Sequence, residues 1–362
     1  MRIRLDIPFL PEADYTAFLA AHRRGIHSLY FSLFTTPAVD ARFRLGPWKT
    51  ADLFQYLPQV AGIPAYALLN SRFYHPGHYF DAGVLEAIRD RLAALAEAGL
   101  VNGVVFADFY LLVALGRHAP ELAAGLEAVP SVNAQIENPR QLRIVMEMIQ
   151  ASGFRQPRKL ILDRSLNRHP VVLAEMAALI QARYPGTAIG LLANEGCLPA
   201  CPFKPSHDAH IALGNMQLAP ECTYAMNTEL GCLALFRQRP ELIFQSPFIR
   251  PEDVERYAGL ISFVKLGGRT LGAAFLQNAV RGYLARRYDG NLLDLMDTLE
   301  ALAGDMHVAA GGLPGDFFDR MTACPDDCRT CRYCRDLARR AVRTLPPGLA
   351  DLRRRHRHAS AG

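Results

Sequence analysis

The sequence predicts an α/β fold: a (β/α)8 TIM-like barrel carrying a small cysteine-rich, mostly helical C-terminal extension. Three observations predict it. Short apolar runs, eight in all, alternate with amphipathic segments across residues 3–266. No glycine-rich phosphate turn follows the first run, which argues against a doubly wound open sheet. All eight cysteines lie beyond residue 196, in two groups of four.

The expected strands are 3–9, 28–33, 65–70, 103–107, 129–133, 159–163, 188–194 and 261–266. Between them, residues 83–99 space their apolar positions by three and four and end on glycine, as a helix does. Segment 138–153 opens on Asn-Pro, a cap followed by a first-turn proline, and 169–184 repeats the pattern. The connection 197–245 is too long for a simple crossover, and long connections inside a compact domain are usually functional. Beyond Arg269, helices are expected at 270–287 and 291–303. Gly-Gly-Leu-Pro-Gly at 311–315 breaks the pattern, the second cysteine group follows, and an Arg-rich helix closes it. The domains are therefore 1–290 for the barrel, with a cluster-binding loop at 194–245, 291–343 for the extension, and 344–362 for a basic flexible tail.

The chain has 362 residues, of which 50% are apolar and 21% charged. That composition excludes a disordered chain. The most apolar stretch, 103–115, is too short to span a bilayer and contains Asp108, so no membrane span is expected. Net charge is +5, but residues 329–362 hold ten arginines and two aspartates, leaving −3 for the rest. The basic character belongs to the tail, which is either a solvated terminus or a contact for RNA, an anionic partner or a membrane surface. The N-terminal MRIRLDIPFLPEAD has no apolar signal core, so a reducing, cytoplasmic setting is expected. Metal binding is there the better reading of clustered cysteines than disulfides.

The first group reads Asn194-Glu195-Gly196-Cys197-Leu198-Pro199-Ala200-Cys201-Pro202 and follows a strand directly, which puts it on the catalytic face of a barrel. With Cys222 and Cys232 it makes a set of four thiols. A 4Fe–4S cluster accepts cysteines from separate loops, whereas structural zinc knuckles favour Cys-x2-Cys. His207 and His210 lie near enough to replace a cysteine or to serve as ordinary helix-start residues. The second group, Cys324, Cys328, Cys331 and Cys334, packs four thiols into eleven residues. A metal centre is expected there, either a second 4Fe–4S cluster or zinc. Its first three cysteines share the Cys-x3-Cys-x2-Cys spacing of radical S-adenosylmethionine enzymes, but the group follows the barrel instead of opening it.

Polar residues at other strand ends converge on one mouth in a barrel: Asn70, Asp108, Asn133, Gln135, Asp163, Arg164, Lys265 and Arg269. The expected catalytic set is Asp108, Asn133, Arg164, Lys265 and Arg269, with Asn194 and Glu195 beside the cofactor. The cations suit a small acidic substrate. There is no Gly-x-Ser-x-Gly elbow, no His-Glu-x-x-His helix and no P-loop.

Several segments resemble the collagenase-like peptidase family U-32. They are VVFADFYLL at 104–112, VPSVNAQIENPRQLRIV at 129–145, KLILDRSLNR at 159–168, NEGCLPACPF at 194–203 and FVKLGGRTLGAAFLQNAVRGYL at 263–284. Lys265, Gly268 and Arg269 match the family pattern. Gly267 replaces its usual Glu, and Asp163–Asn167 departs from its usual Glu-Leu-Ser. The resemblance implies a barrel with a 4Fe–4S cluster on Cys197, Cys201, Cys222 and Cys232. It also implies oxygen-independent hydroxylation of a small aromatic or isoprenoid precursor, as in ubiquinone biosynthesis, or of RNA bases. A heterodimer or homodimer and an electron-donor protein belong to that picture, as does an alternative role as a non-catalytic, metal-stabilised partner subunit. The second cysteine group is not a common family feature.

Overall fold

A computed structural model describes residues 2–35, 38–41, 48–219 and 222–346. Nearly all of the basic tail lies outside them. Eight parallel strands form one sheet in the order β5-β4-β3-β2-β1-β8-β7-β6. They are β1 Arg4–Pro8, β2 Ile26–Ser32, β3 Ala65–Leu69, β4 Gly103–Phe106, β5 Glu127–Pro130, β6 Lys159–Ile161, β7 Ala188–Leu192 and β8 Phe263–Lys265. Between β5 and β6 the ring is closed by backbone bonds at Arg155, whose N–H donates to Leu126 O at 2.9 Å and whose carbonyl accepts from Ala128 N at 3.1 Å. This is the expected barrel.

The strands read as apolar runs because both of their faces are buried. On β1, Leu5 and Ile7 join the layer between strands and helices. Asp6 lies between them, and by the alternation of a strand it points into the barrel. Helices Ala82–Glu97, Pro139–Ala151 and Pro170–Arg183 cover the outside with Leu85, Leu92, Leu142, Ile149, Leu173 and Ile180. Asp81 caps the first and Asn138 the second through side-chain oxygens.

The barrel interior is unusually charged. Lys159 Nζ lies 2.7 Å from Asp6 Oδ1 and 2.9 Å from Ser28 Oγ, and Lys265 Nζ lies 3.2 Å from Asp6 Oδ2. Tyr66 covers Lys159 and Tyr30 covers Lys265, with the ammonium groups 4.0 and 3.0 Å from the ring centres. Burial pushes Asp6 up, yet the two ammonium groups outweigh it and hold the carboxyl well below the ordinary range. Burial lowers Lys265, Asp6 opposes and Lys159 adds, leaving it at about 7.

The extension departs from the expected helix at 291–303. Two 3-10 turns, Leu292–Leu295 and Leu299–Leu302, replace it, with extended Met296 between them. The apolar residues here are buried on all sides, so tertiary packing overrides helical propensity. An antiparallel ribbon of β9 Met306–Val308 and β10 Val342–Thr344 ties the segment together. Helices Phe317–Thr322 and Tyr333–Ala341 flank the second cysteine group. Helices Cys232–Gln238 and Leu242–Gln245 of the long loop pack into the same apolar cluster as the extension.

Asp6→Asn removes the carboxylate that lies between two buried ammonium groups and is expected to cost about 3–5 kcal/mol in urea unfolding. The pH dependence has a definite sign. The Asp6 contribution is present above its ordinary pKa and lost as pH falls below it. The unfolded chain binds the Lys265 proton more readily than the native one, so stability rises from about pH 7 toward about 10. Lys265→Met should flatten that rise; an unchanged slope would refute the assignment.

Candidate functional site

Two cavities open at the C-terminal ends of the strands. The mouth cavity, about 130 Å³, is lined by Tyr30, Asn70, Asn133, Glu195, Cys197, Cys201, Lys265 and Arg269, with His207 at its edge. A second cavity of about 450 Å³ lies beside it, between the barrel rim and the extension. Six of the eight cysteines line it: Cys197, Cys201, Cys324, Cys328, Cys331 and Cys334. Asp163, Arg164, Gln135 and Arg335 line it too. That volume is within the range of ligand sites.

The extension is held over the mouth by aromatic docking. Phe317 is fully buried; Arg250 lies 4.9 Å and Arg168 5.5 Å from its ring. Arg250 is itself fixed by a two-point bond to Asp253 at 2.6 and 2.8 Å. Phe318 packs edge-on against Tyr257 and under Arg256. Cys324 follows this helix by two residues, so its docking sets where the thiols lie.

Loop geometry positions the first group. Gly196 packs so tightly that a Cβ there would meet Leu299 Cγ at 2.3 Å, joining the loop to the extension. Gly268, at φ +110°, turns the chain after β8 in a conformation only glycine adopts freely. Arg164 is buried and bonds Glu195, and its Nη1 lies 3.6 Å from Cys197 Sγ. Its Nε and Nη2 are buried without a protein partner. Burial, then the neighbouring Glu195, push the Cys197 thiol far up. Burial and the charges of Cys324, Cys328 and Cys331 raise Cys334 to about 12. Burial and Cys201 raise Cys232 to about 11.

The structure brings together much of the expected set and reassigns some of it. Asn133, Lys265, Arg269, Glu195, Cys197 and Cys201 meet at the mouth. Arg164 and the second cysteine group meet next door. Asp108 is instead a helix cap: one oxygen accepts from Tyr110 N and Leu111 N at 2.7 and 3.1 Å, and the other accepts from Tyr79. Asn194 is fully buried and its amide is spent on structure. It donates to Gly267 O and Leu295 O and accepts from Gly267 N, at 3.2, 2.9 and 2.6 Å. Lys265 and Arg269 are ion-paired with Asp6 and Asp40. Cys222 is exposed beside Met226, with 3.6 Å between the sulfurs, and Cys232 is buried in the extension's apolar cluster; neither lines a cavity described here.

Asp6 and Lys159 escaped the sequence reading. The available signal was a charged residue set in an apolar strand run. Among the described residues, no three His, Cys, Asp or Glu side chains converge on one point that a single ion could occupy. No helix of the described residues is long and apolar enough to cross a membrane.

The geometry thus defines a parallel β/α barrel with a thiol-lined cavity at the C-terminal ends of its strands. No protein-family model matches the chain. Over 183 residues, 50% of its length, it is 32% identical to an uncharacterized protease of Methanocaldococcus jannaschii. The match covers 52% of that protein, so the chain spans about half the length of this curated relative. The solved structure of a U32 peptidase covers 74% of this chain and 94% of its own, with 15% identity and a TM-score of 0.45. The similarity to this archaeal protein covers half of the chain, and the segments 104–112, 129–145, 159–168, 194–203 and 263–284 resemble the U-32 peptidase family.

Phe317→Ala is expected to cost about 3–5 kcal/mol and to free the cysteine-rich segment. Limited proteolysis should then cut within 323–333 while the barrel stays intact. Equal protease resistance in variant and wild type would contradict the docking account.

Proposed function

We propose that the chain is an iron–sulfur oxidoreductase that hydroxylates a small acidic aromatic or isoprenoid precursor, its oxygen atom coming from a reducible oxygen donor other than O2 that takes up the two electrons given by the C–H bond. One observation carries the reading: cysteines of both groups, distant in sequence, line a single cavity beside the barrel mouth. Thiols crowded in a buried place hold their protons, as the raised Cys334 and Cys232 do. A cationic centre reverses that preference, since coordination deprotonates a thiol. The donor set therefore fits a thiolate-bound centre. A 4Fe–4S cluster spreads its attachment points over four irons, so its thiols need not converge as those of one ion must.

Cys197 and Cys201 with Cys232, and by family resemblance Cys222, would hold one cluster. Cys324, Cys328, Cys331 and Cys334 would hold a second cluster, or zinc if the four thiols draw together around it, since among the described residues they do not converge on one point. A bound cluster would accept and release single electrons at the cavity wall. The protein's own groups do the rest. Arg164 places a guanidinium beside Cys197 Sγ, and its unpartnered Nε and Nη2 form the edge that grips a carboxylate at two points. Glu195 fixes that guanidinium. A partner reductant would reach the outer group through the extension, and a second subunit belongs to the same proposal. The RNA alternative rests on the basic tail, outside the described residues.

The test is iron, acid-labile sulfide and zinc per chain after anaerobic purification, with Cys197→Ala and Cys328→Ala beside the wild type. Two clusters give about eight irons, falling to about four in each variant. Iron lost only with Cys197, and zinc only with Cys328, would make the second centre structural. No iron under strict anaerobiosis would overturn the redox reading.

A further inference from the structure

Of the 40 basic residues that are lysine or arginine, only Lys49, Lys159, Lys204 and Lys265 are lysines. Arginine outnumbers lysine nine to one, yet the barrel interior uses lysine twice. The two residue types differ in one respect that matters here. An arginine stays charged throughout the physiological range, whereas a buried lysine readily gives up its proton.

The surroundings decide which lysine does so. Two ammonium groups share one carboxylate, which leaves one positive charge uncompensated in a buried volume. Lys159 holds the better share: the 2.7 Å bond to Asp6 and the 2.9 Å bond to Ser28 Oγ, with Glu127 adding favourable charge. Lys265 has the longer 3.2 Å contact with Asp6 and the face of Tyr30, with no hydroxyl partner of the kind Ser28 gives Lys159, and Arg269 on its own side adds further positive charge. Lys159 is fully buried, while Lys265 lines the mouth cavity.

We propose that Lys265 is a nucleophilic amine that forms an imine with a small aldehyde or ketone bound in the mouth cavity. The nitrogen lone pair attacks the carbonyl carbon, a C–N bond forms, and the carbonyl π pair moves to oxygen. The two amine hydrogens and that oxygen then leave as water, and the C=N bond remains; no oxidant or reductant is consumed. Amines desolvated beside a second cation are the ones proteins use in this way. The pKa near 7 gives a substantial neutral fraction at neutral pH. Asn133 offers an amide in the same cavity. The cavity volume of about 130 Å³ limits the ligand to a small carbonyl compound or the end of a larger one. This inference rests on the barrel interior alone and stands apart from the metal reading.

The test uses the full chain at pH 7 with glyoxylate as the carbonyl probe and sodium cyanoborohydride to reduce the imine. Peptide mass mapping follows each of the four lysines separately. Lys49 is exposed and serves as the internal reference. An ordinary lysine is almost wholly protonated at pH 7, so Lys265 should be modified at least ~10-fold faster than Lys49. Lys265→Arg, checked for folding by circular dichroism, should lose that label and leave the rates at Lys49 and Lys204 unchanged. Modification of Lys265 no faster than Lys49 would overturn the proposal.

Discussion

One carboxylate, Asp6, stands between two ammonium groups inside a barrel that excludes water, and the rest of the interior is arranged around that constraint. A buried charge costs several kcal/mol unless it is paired. Asp6 pairs with Lys159 and, more loosely, with Lys265. Ser28 and the faces of Tyr30 and Tyr66 supply what one carboxylate cannot. The arrangement joins β1, β6 and β8, strands that lie far apart in the chain. It also leaves the cavity-facing amine short of negative charge. A structural demand of the fold and a chemical property of the mouth thus have the same origin.

The second arrangement is spatial. The long loop after β7 and the extension after β8 belong to one apolar cluster, so the two cysteine-bearing segments pack as neighbours. Phe317, held against Arg168 and Arg250, fixes the extension over the rim. Asn194 ties the end of β7 to the turn after β8 and to Leu295. These contacts are structural, but their consequence is functional. They make cysteines more than a hundred residues apart the walls of one cavity, with a guanidinium edge beside them.

Much of this was legible in the chain. All eight strands lie within three residues of their expected ends, because strands buried on both faces leave continuous apolar runs. The cysteine grouping was visible as spacing alone. Three things were not. A polar residue at a strand end reads the same whether it caps a helix, as Asp108 does, ties loops, as Asn194 does, or lines a cavity, as Asn133 does. Segment 291–303 spaces Leu292, Leu295, Leu299 and Leu302 by three and four, so its period reads as one helix although two 3-10 turns form. The Asp6–Lys159–Lys265 group joins strands more than a hundred residues apart, and only barrel closure brings it together.

Cys197 and Cys201 line one cavity with Cys324, Cys328, Cys331 and Cys334, and we propose that the two groups hold neighbouring clusters that act as one redox unit. Low-temperature EPR of the fully reduced, anaerobically purified protein tests this most directly. Two neighbouring paramagnetic clusters couple magnetically, so the account predicts a broadened, split spectrum that collapses to a single uncoupled signal in Cys328→Ala. A wild-type spectrum that is the simple sum of two independent signals would contradict it.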